Sequence, residues 1–349
     1  MSPFSISLLR GRGARCDVSL PDNGSARNLF FNADIYSPAQ VYSTDLSPYR
    51  RRHSLHSVRP RHTEHRIGQS DSREGLRIGP SEGKLIVQAD ETKRPKLSFI
   101  VGGAQKAGTT SLFGYLKEHP SLLAPLKKEL HFFDDETIDW SKPDYSSLAK
   151  WFPTGSIGKI AFDATPIYLF WPPSLKRIQR YDPAMKLIFM FRDPIERAWS
   201  HWRMEYERNA ETLPFGAAIR HGRRRLQGIS QLDPAWRIYS YVERGFYGMQ
   251  VRRLLDLFPR ENVLFLRADD LKTAHSLTLA VITDFLGLPS FSPLPPRLDH
   301  QGKYREEKIP QDDITYLRGI FRDELLEFSK LAALPIADWL TLSDLQAGG

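Results

Sequence analysis

The sequence predicts an α/β fold in three layers, a central parallel sheet flanked by helices, preceded by a largely disordered N-terminal tail. Short apolar runs alternate with segments of helical periodicity from Leu97 onward, the pattern of strand–helix units joined into a parallel sheet. One run, KLIFMF (186–191), is continuously apolar after its first residue, as a strand covered on both faces must be. Up to about residue 95 the chain is instead rich in Ser, Arg, Pro, Gly and His, without sustained apolar periodicity. Such a composition buries too little apolar surface to offset the entropy of ordering.

The first strand is LSFIV (97–101), which runs into a glycine-bearing turn. TSLFGYLKEH (110–119) follows, with Leu112, Tyr115 and Leu116 at helical spacing. KIAF (159–162) is the second strand and KLIFMF the third. Helical patterns cover Ile195–Arg208, Gly248–Phe258 and Thr273–Leu286, and VLFLRADDL (263–271) reads as a strand entering a helix. Ile314–Leu331 is a final amphipathic helix. The chain thus divides into a disordered basic region at 1–95, a folded domain at 96–335 and a C-terminal tail at 336–349.

Hydrophobic residues make up 41% of the 349, enough for a sizeable core. The net charge of +8 fits an anionic ligand, or equally a basic tail on a neutral domain. Cys16 is the single cysteine, which excludes an intramolecular disulfide and a cysteine-based metal site and favours a reducing compartment. No apolar run approaches the ~18–20 residues needed to span a membrane. The first residues, MSPFSISLLRGRGARC, lack the apolar core of a secretory signal, while an organelle transit peptide and a frayed basic tail share their composition. In YRRRHSLHSVRPRHTEHR (49–66) few aromatics interleave with the arginines, so no nucleic-acid partner is expected. Nothing in the sequence specifies an oligomeric state.

Three segments carry chemistry. GGAQKAGTTSL (102–112) lies between a strand and a helix, where a glycine turn delivers backbone N–H groups and a helix N-terminus to an anion. Gly103 and Gly108 are five apart, as in a P-loop, so the fold is expected to be P-loop-like. A nucleoside-triphosphate loop needs lysine directly after the second glycine. Here Thr109 and Thr110 occupy those positions and Lys106 lies inside the loop, with Ser111 adding a third hydroxyl. In FRDPIERAWSHW (191–202), Arg192 ends a buried strand, Asp193 is placed to cap the next helix and Pro194 to open it. Ser200 follows two turns along, so one guanidinium and one hydroxyl suit a phosphate monoester. In KKELHFFDD (127–135), Glu129 and His131 lie two apart and point to one side if the segment is extended, with Phe132 and Phe133 anchoring it. A carboxylate so held can take a proton from a hydroxyl or amine.

Together these motifs resemble the PAPS-dependent sulfotransferases, where PAPS is 3'-phosphoadenosine-5'-phosphosulfate. The chain is most similar to the heparan-sulfate-type branch and its bacterial relatives, over roughly 97–331. The resemblance implies that QKAGTTSL is the 5'-phosphosulfate loop, with Lys106, Ala107, Gly108, Thr109, Thr110 and Ser111 binding the co-substrate and Lys106 also catalytic. It implies that Arg192 and Ser200 bind the 3'-phosphate, that Glu129 is the base and that His131 lies beside it. HQGKYR (300–305) occurs where the family closes a loop over the 3'-phosphate, which makes Lys303 a candidate ligand. Arg244 and Tyr247, in YVERGFYGMQVRRLLDLFP (241–259), are candidates to contact co-substrate or acceptor. In DATPIY (163–168) the branch often has lysine before its Ser/Thr-Pro, where this sequence has Ala164. Asp163 and Tyr168 there line the acceptor cleft or play structural roles.

The implied reaction moves a sulfuryl group from PAPS, leaving PAP, to a hydroxyl or amine on a small-molecule or carbohydrate acceptor, with no metal required. Animal Golgi members commonly carry an N-terminal membrane anchor and cysteines near the last loop. Neither is seen here, so the resemblance implies a soluble, cytoplasmic-type enzyme. The rivals are a P-loop kinase or NTPase, opposed by the place of Lys106, and a non-catalytic PAP-binding protein, opposed by the presence of both Glu129 and Lys106.

Overall fold

The computed structural model describes residues 95–154, 158–297 and 308–343. The chain divides into units 1–82 and 83–349, and every described residue belongs to the second. The expectations for the N-terminal tail, and for Lys303, fall outside the described residues.

In chain order the elements are β1 (Leu97–Gly103), α1 (Thr109–Glu118), β2 (Leu122–Leu123), β3 (Ile160–Ala164), α2 (Ser174–Tyr181), β4 (Lys186–Phe191) and α3 (Pro194–Glu207). There follow α4 (Phe215–Arg220), α5 (Ala235–Tyr239), α6 (Tyr247–Leu255), β5 (Val263–Arg267), α7 (Ala268–Thr273), α8 (His275–Leu286) and α9 (Gln311–Ala332). The strands form one parallel sheet in the order β2-β3-β1-β4-β5. All four strands expected from the sequence are present. The edge strand β2 has two residues, too few for any periodicity to show. The helix expected over Thr273–Leu286 is α8, which begins at His275 because Ala274 leaves the helical region after α7. Among the described residues no helix is long and apolar enough to cross a membrane.

The sheet's centre is fully covered. Phe99–Val101 and Leu187–Phe191 have no solvent exposure, which accounts for the unbroken apolar run of β4. Phe191 anchors the layer behind the sheet, its ring 4.6 Å from Phe328 and 4.9 Å from Tyr247.

Asp193 fixes the chain's exit from β4. Its Oδ1 accepts from the Ile195 and Glu196 backbone N–H groups, and Pro194 fills the first helical position, as the sequence predicts. Its Oδ2 accepts from the backbone N–H and the hydroxyl of Thr341, both at 2.8 Å. The sequence assigns residue 341 to a tail, yet Ile336, Trp339 and Leu342 are buried in the core, with Trp339 stacked on Phe328. Residues 336–343 therefore pack as part of the domain. The segment is eight residues long, too short for a periodic pattern to reveal it.

The strand order also places the site. The connection after β1 leads toward β2 and β3, whereas that after β4 leads to β5. A crevice opens between the carboxyl ends of two neighbouring strands whose connections diverge. There Gly103 stands opposite Phe189 and Ala104 N–H donates to Met190 C=O. Gly103 is required by packing, since a Cβ would lie 2.9 Å from Leu169 Cβ.

Trp339→Ala is expected to lower stability by about 3–5 kcal/mol, the cost of deleting a large buried aromatic, and a chain ending at residue 335 by more. Urea denaturation followed by circular dichroism measures both. Unchanged midpoints would show that this segment contributes nothing to the domain.

Candidate active site

The loop after β1 leaves backbone donors at the start of α1 without a side-chain cap. Lys106 and Gly108 take left-handed backbone conformations, φ 70° and 84°, and between them Ala107 N–H donates back to Ala104 C=O at 3.2 Å. Ala107 is thus fully buried with its N–H spent on shaping the loop, rather than free for a ligand. Gly108 sits at the N-cap of α1, which has no side-chain cap and no acidic residue in its first turn. The first-turn N–H groups, of Thr109, Thr110 and Ser111, are left for an external acceptor by helix geometry. Lys106 is half-buried and makes no ion pair or hydrogen bond with the described residues. Burial, then the nearby Arg208 and Arg192 guanidinium groups, push its ammonium below the ordinary lysine range, against the opposing carboxylates of Glu207 and Glu205. A lysine destabilised by burial and like charge is one that an anion restores.

Arg192 ends β4 beside this loop. Its Nε donates to Glu196 Oε2 at 2.8 Å, one turn along α3, which leaves its terminal nitrogens for a ligand. Ser200, on the next turn, is half-buried. Arg192 C=O accepts from the Tyr247 hydroxyl at 2.9 Å. Tyr247 is fully buried and so positions Arg192 from behind instead of touching co-substrate. Arg244 has the same kind of role. Its buried guanidinium donates to Gln105 Oε1 at 2.6 Å, Ser240 Oγ at 2.7 Å, and the Trp236 and Arg237 carbonyls at 3.2 and 3.0 Å, while lying over the Phe170 ring. With these donors engaged, Arg244 holds Gln105 in the loop and reaches no ligand itself.

The Glu129–His131 segment is not the extended strand that the sequence suggests. Both residues have positive φ, 63° and 54°, and the kinks bring the side chains together, with Glu129 Oε2 3.5 Å from His131 Nε2. Four consecutive backbone N–H groups are held by the DATPIY segment at the end of β3. Leu130 N–H donates to Asp163 Oδ1, His131 N–H to Thr165 Oγ1, and Phe132 and Phe133 N–H to the Tyr168 hydroxyl. Asp163, Thr165 and Tyr168 have no solvent exposure, so they buttress this segment and do not line a cleft.

His131 Nδ1 lies 2.9 Å from Asp134 Oδ2. Asp134 is buried and also accepts from Arg237 Nη1. The Asp134 hydrogen bond first, then Glu129, push the imidazole up to about 9 against the pull of burial, so it is charged near neutral pH. Partial burial favours the neutral form of Glu129, but the bond from His131 and the Lys128 ammonium outweigh it and hold the carboxyl at about 2. His131 opens onto a cavity of about 330 Å³ whose other lining residues include Asp134, Asp135, Glu136, Leu232 and Arg237.

The sequence names Lys106, Thr109, Arg192, Glu129 and His131, and the structure sets their segments at the carboxyl ends of the adjacent strands β4, β1 and β3. It overlooks Asp134, Thr165 and Arg237. The His-Phe-Phe-Asp spacing was an available signal for Asp134; for Arg237, 103 positions away, there was none.

No protein-family model matches the chain. Over 193 residues it is 31% identical to heparan sulfate glucosamine 3-O-sulfotransferase 6 of Mus musculus and of Homo sapiens, which covers 54% of this chain and 52% of the relative. Over 278 residues it is 27% identical to the Homo sapiens bifunctional heparan sulfate N-deacetylase/N-sulfotransferase 3, covering 69% of this chain and 31% of the relative. The chain spans about half the length, or less, of these curated relatives. Among solved structures, a sulfotransferase from Alicyclobacillus acidocaldarius matches with a TM-score of 0.58 and 25% identity, over 70% of this chain and 98% of that one. The chain therefore shares its fold with the bacterial sulfotransferase over nearly that protein's full length, and is similar in sequence to the animal heparan sulfate sulfotransferases.

Proposed function

We propose that the protein transfers a sulfuryl group from PAPS to an acceptor hydroxyl or amine. The observation that carries this reading is the order of groups along three adjacent strand ends: Arg192 after β4, Lys106 after β1, and Glu129 with His131 on the buttress after β3. The co-substrate's two phosphate ends fit the residues present. The uncapped α1 N-terminus and Lys106 suit the 5'-phosphosulfate, and the free end of Arg192, with Ser200, suits the 3'-phosphate.

In the proposed step the acceptor oxygen or nitrogen forms a bond to sulfur as the bond from sulfur to the phosphate oxygen breaks. Glu129 takes the acceptor's proton, and the charge left on the phosphate is met by Lys106 and the first-turn N–H groups. Such a transfer needs position and charge stabilisation more than covalent help. A carboxyl held at about 2 is a weak base toward a free alcohol. It becomes competent only as the new bond to sulfur makes the attacking hydroxyl acidic, which ties proton removal to the transfer itself. His131, fixed by Asp134, keeps Glu129 oriented and ionised.

Three outcomes are expected. The protein should bind PAP without Mg²⁺ and prefer it to ATP in calorimetry; tighter, magnesium-dependent ATP binding would favour a kinase. Arg192→Ala should weaken PAP by about 2–3 kcal/mol, the worth of a lost charge-assisted contact. Glu129→Gln should leave PAP affinity intact and slow transfer to a hydroxyl by ~10²–10⁴-fold, and near-normal turnover would remove Glu129 from the base's role.

The pH dependence follows from His131. Its folded pKa is raised, so the stability that it contributes is complete below the unfolded value near 6.5 and is lost as pH rises through about 9. Asp134→Asn should bring the imidazole back toward its ordinary range in an NMR titration. The stability gap between wild type and variant should be wider at pH 6 than at pH 10; an equal gap would mean that Asp134 acts through Arg237 alone.

A further inference from the structure

Beside the proposed base lies the cavity onto which His131 opens, and its charges decide what can enter. Five ionisable side chains line it: His131 and Arg237 against Asp134, Asp135 and Glu136. Both cations are already engaged. His131 is held by Asp134 and Glu129. Arg237 donates to the Asp134 carboxylate and, through Nη2, to the Asp134 carbonyl at 2.6 Å, and its guanidinium lies over the Trp171 ring at 4.1 Å. Of the carboxylates, Asp134 is consumed by these two partners, and Glu136 is clamped by Arg177 and the Trp171 indole N–H. Asp135 uses Oδ1 for Thr137 and keeps its negative charge without a cation among the described residues.

An anionic compound entering here meets no uncommitted cation from the described lining residues, and it meets at least one uncompensated carboxylate. At the mouth stand Leu232, 41% exposed, and Pro234, also exposed, and Leu130 adds apolar surface within. Exposed apolar groups at the entrance, with a charged histidine inside, suit a ligand with an apolar portion and a polar reacting end.

We propose that this cavity seats an acceptor that is uncharged at its reacting end: a neutral, hydroxyl-bearing compound with an apolar portion, in contrast to a polyanionic saccharide. The proposal rests on the sulfuryl-transfer reading and gives that site its substrate class. The specificity is electrostatic. Asp135 repels an acceptor carboxylate or sulfate, and Leu232 with Pro234 receives the apolar part.

A matched pair of probes tests it: octyl β-glucoside and octyl β-glucuronide, equal in chain and ring and different in one carboxylate. Both are titrated, below their micelle concentrations, into the full-length protein saturated with PAP, with binding followed by saturation-transfer NMR. The glucoside is expected to bind about tenfold or more tightly than the glucuronide, the effect of one like charge within several ångströms at a half-exposed site. Asp135→Lys, at a position outside the catalytic set, is expected to close or reverse that gap while PAP affinity stays unchanged. Equal or tighter binding of the glucuronide to the wild type overturns the proposal, as does an unchanged preference in a folded Asp135→Lys variant. Binding of neither glycoside, with PAP still bound, also overturns it and leaves the PAPS reading standing. Failure to bind PAP at all defeats that reading instead, and the acceptor class with it.

Discussion

At the end of β3 the Asp163 carboxylate sits with no access to water, and the shape of the candidate site depends on how that charge is accommodated. Burial pushes its carboxyl above the usual range, and hydrogen bonds from Tyr168, Thr165 and Leu130 oppose the shift. Removing a carboxylate from water costs several kcal/mol unless its oxygens are met by donors. Here the donors have a second task. The Tyr168 hydroxyl donates a hydrogen bond to Asp163 Oδ2 at 2.7 Å and accepts from the Phe132 and Phe133 N–H groups. The Thr165 hydroxyl donates a hydrogen bond to Asp163 and accepts from His131 N–H. The buried charge is thereby wired to the backbone of residues 130–133. Glu129 and His131 adopt left-handed conformations that cost such residues about 1–3 kcal/mol each, and these bonds hold the chain there.

The donor and acceptor sides are joined by a second buried charge. Arg244 grips Gln105 in the anion loop with one nitrogen and the Trp236 and Arg237 carbonyls with another. Arg237 in turn holds Asp134, which orients His131. A path through Arg244 and Arg237 therefore runs from the loop after β1 to the Glu129–His131 pair. Its physical value is geometric: the guanidinium groups of Arg244 and Arg237 together fix the loop after β1 relative to the Glu129–His131 segment.

The relation to the animal enzymes is one of sequence similarity over part of the chain. The wall of the cavity beside His131 includes Leu232, Pro234 and Arg237, with Arg237 held by Asp134, while Asp135 has no cation beside it among the described residues.

What the sequence determined by itself was whatever depends on local geometry. Strand β4 was legible because double-sided burial demands an unbroken apolar run, and the start of α3 because Asp-Pro both caps and opens a helix. The turn between β1 and α1 was legible because glycines between an apolar run and a helical pattern mark a strand-to-helix connection. The tertiary structure decided whatever depends on contacts between distant segments. Glu129 and His131 meet through two backbone kinks that no pattern encodes, since positive φ in these residues is sustained only by the β3 buttress. Asp163 and Tyr168, candidates for the cleft by motif, became its foundation once both were enclosed. Residues 336–343 joined the core because Thr341 completes the Asp193 carboxylate and Trp339 finds Phe328. A carboxylate's second oxygen and an aromatic's partner are chosen by the folded chain, and spacing along the sequence carries no trace of either.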